Sequence, residues 1–129
     1  MNAHAAGACA LLYATALIAA AVSTALADGD VARGEKRFEE CAACHSVERG
    51  SNRIGPSLHG VFGRKAGAMP EFRYSPALRR SGITWTRESL DSYLADPQKA
   101  VPANRMPYAG MLGAADRADL IAYLERATK

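Results

Sequence analysis

The chain has 129 residues, sixteen of them Lys or Arg and thirteen Asp or Glu, for a formal net charge of +3. That length holds one ordinary domain with a short appendage and excludes a multidomain enzyme. Apolar residues make up 49% and charged residues 22%, which excludes a disordered chain, and three cysteines exclude a disulfide-dense scaffold. A charge of +3 suits a protein that visits acidic partners and is too mild to announce nucleic-acid binding.

Every charged side chain lies at or after Asp28. Residues 1–27 hold an Ala- and Leu-rich run that closes on Ala25-Leu26-Ala27, the pattern of an export signal with an A-x-A cleavage site. The run is short for a membrane span, and the segment before it has no Lys or Arg. The expectation is a cleaved signal peptide over 1–27 and a mature domain over 28–129, with an uncleaved membrane anchor as the alternative. Export places the protein in the periplasm if the source is a Gram-negative bacterium. Cys9 precedes the apolar run and does not sit where a lipid would attach.

Val31, Gly34 and Phe38 recur at helical spacing and predict a helix over residues 30–41, capped by Asp28 or Asp30. Between 49 and 82 the density of Gly and Pro forbids long regular structure, and a loop of that length in a small domain wraps something. Thr86 caps a predicted helix over 87–95, which Pro97 ends or kinks. Residues 98–113 read as loop, and a last helix covers 115–127 with Leu120, Ile121, Tyr123 and Leu124 on its apolar stripe. The fold class is all-α, with three main helices, long loops and no strand. Such a domain has too little apolar surface to close a core alone, which argues for a large buried cofactor.

Cys41-Ala42-Ala43-Cys44-His45 is a C-x-x-C-H motif, the attachment signal of a c-type haem. Two thiols one helical turn apart reach the two vinyl groups on one porphyrin edge, and His45 follows to face the iron. A thioredoxin-like pair would need a βαβ context, and it would leave His45 unexplained. A zinc site would need a second Cys/His pair, and only His59 remains in the mature domain.

From about Gly29 to Lys129 the sequence closely resembles class I cytochrome c, the branch of mitochondrial and short bacterial proteins. The likeness rests on Gly34-Glu35-Lys36-Arg37-Phe38, the haem motif, Ile54-Gly55-Pro56-Ser57-Leu58-His59-Gly60, Phe62-Gly63-Arg64-Lys65, Gly82-Ile83-Thr84-Trp85, Asn104-Arg105-Met106-Pro107-Tyr108-Ala109-Gly110 and Asp119-Leu120-Ile121-Ala122-Tyr123-Leu124. It implies a cytochrome c fold around one covalently bound haem c, with Cys41 and Cys44 attached, His45 proximal and Met106 distal. It further implies that Pro56 accepts the His45 Nδ1–H, that Tyr74 and Trp85 bind a haem propionate beside Arg64, and that Tyr93 lies next to the Met106 sulfur. Gly34 and Phe38 would pack on Leu120 and Tyr123, and His59 would be a solvated loop residue.

The function implied is a soluble, monomeric one-electron carrier and not an enzyme, running between a cytochrome bc complex and a terminal oxidase or photosynthetic reaction centre. A His/Met pair leaves no open axial position, and the neutral thioether favours ferrous iron. The other readings are a peroxidase-like haem enzyme, for which no distal acid–base His is at hand, and a redox sensor or membrane-tethered haem module. Departures from the family pattern are Leu78 for an Asn, Asn104 for a Thr, Glu40 and Gln98 for Lys, and Leu112-Gly113-Ala114 for a basic cluster. The docking cations that remain are Arg53, Lys65, Lys99 and Arg105.

Overall fold

The computed structural model describes residues 28–129. The expected signal segment, 1–27, lies outside the described residues.

Five helices follow one another: α1 (Val31–Ala42), α2 (Pro76–Arg80), α3 (Arg87–Ala95), α4 (Pro97–Ala100) and α5 (Ala114–Ala127). The three long ones match the predicted spans within a residue at each end. Among the described residues there is no strand, only an isolated antiparallel bridge between Lys65 and Thr84. No helix among them is long and apolar enough to cross a membrane.

Asp30 caps α1 by accepting the Arg33 N–H, and Thr86 forms a capping box with Ser89 at the start of α3. The two short helices were absent from the sequence reading. Each begins with a side-chain cap followed by Pro at its first position, Ser75-Pro76 and Asp96-Pro97. Proline is tolerated there because its missing N–H has no partner in the first turn.

α1 crosses α5 at close range. A Cβ on Gly34 would collide with the Asp119 carbonyl, and one on Gly29 with that of Ala118, so both positions need glycine. Next to the crossing the Phe38 and Tyr123 rings stack with centroids 5.3 Å apart. The Asp119 carboxylate, 4% exposed, accepts from Asp30 N at 2.6 Å and Arg33 Nε at 2.7 Å. It thereby locks the start of α1 onto α5. Arg117 ties α5 to Asp91 of α3 at 2.7 Å, and Arg87 pairs with Glu125. Leu120, Ile121 and Leu124 of α5 are buried, at about 1.5–3 kcal/mol each.

The long segment between α1 and α3 folds into a flap held by backbone bonds. Gly63 N donates to Trp85 O at 2.8 Å, Trp85 N to Arg64 O at 2.9 Å and Ala66 N to Ile83 O at 2.8 Å. The helices form one wall of a cavity of about 360 Å³, and the flap and the loop after α4 form the rest.

Candidate haem-binding site

The end of α1 sets the first half of the site. Cys44 N and His45 N both donate to the Cys41 carbonyl, at 3.0 and 2.9 Å, so the chain turns tightly as the helix stops. Cys41, Cys44 and His45 consequently line the same cavity. The two are not joined to each other in a disulfide. Burial, with Glu40 adding to it, pushes the Cys41 thiol up to about 11. That is the opposite of the lowered value a redox-active thiolate needs, so the thioredoxin-like alternative finds no support. Among the described residues no cluster of three or more His, Cys, Asp or Glu is placed to hold a metal ion, so the zinc alternative finds none either.

His45 Nδ1 lies 2.7 Å from the Pro56 carbonyl. A carbonyl only accepts, so Nδ1 carries the proton and Nε2 keeps its lone pair for a metal. Burial lowers the His45 pKa and the Pro56 bond partly offsets this, so the ring stays neutral as ligation requires. Gly55 makes the arrangement possible. A Cβ there would come within 2.5 Å of His45 Cε1, and the Gly55 N–H donates to Cys44 O at 2.8 Å. The resemblance had placed Gly55 only within a matching segment, and its close approach to the ring emerges from the folded loop.

Met106 reaches the same cavity from the loop after α4. The Tyr93 hydroxyl from α3 donates to its sulfur at 3.7 Å. Burial pushes the Tyr93 phenol up to about 12, so it remains a donor. The Trp85 and Tyr93 rings meet edge to face at 5.1 Å, which fixes the phenol's aim. The Met106 N–H is held by the Asn104 side chain at 2.8 Å, a contact that sequence reading did not foresee.

Tyr74, Trp85 and Arg64 also line the cavity. Tyr74 and Trp85 are buried, at 7% and 8% exposure. Burial raises the Tyr74 phenol against the pull of Arg64. Two Arg64 donors are already engaged, Nη1 with His59 O at 2.9 Å and Nη2 with Ser57 O at 3.2 Å. Arg64 thus pins the flap as well as placing positive charge at the wall. His59 is half-buried and contributes this carbonyl. Glu40 and Tyr108 meet at the rim, the hydroxyl donating to the carboxylate at 3.3 Å.

The residues present fit a haem. Two thiols, a neutral imidazole with its outer nitrogen already satisfied and a thioether all face one mostly apolar cavity. These are the donors a covalently attached, low-spin haem takes.

The cytochrome c family model matches residues 31–128. The chain is 51% identical over 88 residues to cytochrome c2 iso-2 of Magnetospirillum fulvum, covering 68% of this chain and 92% of that one. It is 46% identical over 103 residues to cytochrome c type-1 of Ascaris suum, covering 79% and 92% respectively. Its structure is similar to that of cytochrome cH from Methylobacterium extorquens, with a TM-score of 0.73, 44% identity and coverage of 76% of this chain and 99% of that one. The chain therefore belongs to the cytochrome c family of electron-carrying proteins, and its cofactor is one covalently attached haem c.

Proposed function

We propose that the protein is a one-electron carrier in which Cys41 and Cys44 would anchor the haem and His45 and Met106 would hold its iron. The observation that carries this reading is that His45 and Met106 line one cavity, each fixed from outside by a hydrogen bond, Pro56 to the imidazole and Tyr93 to the sulfur. When bound, haem c supplies a one-electron ferric/ferrous couple.

The residues do the rest. His45, kept in one tautomer by Pro56, donates electron density from Nε2. The Tyr93 hydroxyl, donating to the Met106 sulfur, would withdraw density from it and so favour ferrous iron. Tyr74 and Trp85 offer polar tips to a propionate, and Arg64 offsets its charge. The α1–α5 crossing and the clamped loops keep both ligands in place as the charge changes, so little has to rearrange. Among the described residues His45 is the one histidine lining the cavity, and none offers a second imidazole there for peroxidase-type acid–base chemistry.

The proposed partners are membrane redox complexes: a cytochrome bc complex as donor and a terminal oxidase or photosynthetic reaction centre as acceptor. Transient docking would bring the monomer to each. Removal of residues 1–27 and residence in the periplasm are part of the same reading, supported by the signal-like pattern and by the bacterial relatives.

Spectra of the oxidised and reduced holoprotein test the ligand set. The ferric form should show the thioether-to-iron absorption band. Met106→Ala should abolish that band and lower the midpoint potential by 100 mV or more, on the order of 2 kcal/mol of lost preference for ferrous iron. A variant with unchanged spectrum and midpoint would remove Met106 from the site.

A further inference from the structure

We propose that Asn104 is a positioning residue that keeps Met106 on the iron by clamping a strained turn, a role that rests on Met106 being the distal ligand. The turn runs Val101-Pro102-Ala103-Asn104 and is closed by Asn104 N donating to Val101 O at 3.1 Å. Ala103 sits at φ 66°, in the left-handed region that side chains other than glycine rarely adopt. Glu71 is the only other described non-glycine residue with positive φ. Nothing in the Ala103 side chain compensates for this conformation. The turn is held from the next residue.

Asn104 is buried, at 7% exposure. Its Nδ2 donates to Pro97 O at 2.7 Å and to Val101 O at 2.9 Å. Its Oδ1 accepts the Met106 N–H at 2.8 Å. One planar amide therefore joins both ends of α4 to the backbone of the ligand residue. Its own carbonyl accepts from Gln98 Nε2 at 3.3 Å. A threonine hydroxyl has a single proton and cannot donate to both carbonyls while accepting from Met106. An alanine would leave the Met106 N–H without its partner. Adjacent residues thus act in opposite senses: strain at Ala103 favours release of the loop, and the Asn104 amide opposes it.

Imidazole titration of the ferric holoprotein measures the balance. Added imidazole reaches the iron only when Met106 leaves, so its apparent affinity scales with the released fraction. Asn104→Ala should tighten imidazole binding about tenfold, the worth of roughly one lost charge-neutral hydrogen-bond network member. Asn104→Thr should fall between that variant and the parent. Ala103→Gly should weaken imidazole binding several-fold, and the double variant Ala103→Gly/Asn104→Ala should lie between the two singles. An Asn104→Ala protein with unchanged helical circular dichroism and parental imidazole affinity overturns the clamp. If Asn104→Ala gives no folded holoprotein, parental affinities in both Asn104→Thr and Ala103→Gly overturn it instead. A parent protein without the ferric thioether-to-iron band overturns the ligand assignment, and the clamp with it. A parent that has the band but shows unchanged affinities across the series overturns the clamp alone.

Discussion

With Met106 as the proposed ligand, Tyr93 is placed to tune the site through one atom. Its hydroxyl touches the Met106 sulfur, its phenol stays protonated because it is buried, and its ring is braced by Trp85. A hydrogen bond to sulfur reduces the thioether's donation, and ferric iron needs that donation more than ferrous iron does. Tyr93→Phe keeps the ring and removes the donor. The midpoint potential should fall by roughly 20–60 mV, the electrical equivalent of about 0.5–1.5 kcal/mol for one hydrogen bond. Voltammetry of parent and variant checks this, and an equal or higher potential would show that the contact does not tune the iron. At this scale the sequence was most readable where chemistry forces a residue type. Cys41, Cys44 and His45 declare themselves by spacing alone. Met106, Pro56, Tyr74, Trp85 and Tyr93 needed the family likeness, because each is an ordinary core or loop residue until folding brings it to the cavity. The carbonyl partners of Asn104 and Arg64 carried no signal, since backbone acceptors look alike in a sequence.

Helices were legible when an apolar stripe repeated and hidden when a single turn sufficed. The long helices α1, α3 and α5 follow their periodicity and caps. The short helices α2 and α4 are too brief for a period: Pro76 reads only as one breaker among several, and Pro97, which follows the end of α3 as expected, also begins α4. The crossing of α1 and α5 was foreseen at Gly34 and Phe38, whereas the lock at Asp119 was not. Its contacts, Asp30 and Arg33, lie 89 and 86 residues away along the chain. That lock has a pH signature. The Arg33 side-chain bond, then the Asp30 N–H, hold the Asp119 carboxyl below the usual carboxylate range. The lowered value in the folded state makes Asp119 stabilising above its unfolded pKa, about 4, and that contribution fades as pH falls through the folded value. Asp119→Asn should therefore be less stable than the parent at neutral pH, with the two converging in acid. Urea unfolding across a pH series reads the difference directly. A gap that stays constant from neutral to acid pH would show that the carboxylate charge is not what binds α1 to α5.

Across the molecule, charge is segregated in a way that total composition conceals. Residues 60–86 carry five cations, Arg64, Lys65, Arg73, Arg79 and Arg80, against the single acid Glu71, a net of +4, while the rest of the chain nets −1. This part of the flap thus holds all of the protein's positive excess. Its Arg73, Arg79 and Arg80 side chains are exposed, and Arg73, Ser75 and Leu78 line the cavity. The helices and the flap together line the cavity. The flap's charge has a kinetic consequence. An anionic redox reagent should be drawn to the flap side of the cavity, with a rate that falls as salt screens the attraction. Oxidation of the ferrous holoprotein by ferricyanide reports this. Arg79→Glu/Arg80→Glu should slow the reaction on the order of tenfold at low ionic strength and flatten its salt dependence. Lys99→Glu/Arg105→Glu, the same change in net charge on α4 and the loop after it, should have a smaller effect. Net charge acting from a distance would slow both variants equally. Only a field concentrated at the flap separates them, so equal rates would mean that the segregation of charge has no part in electron exchange.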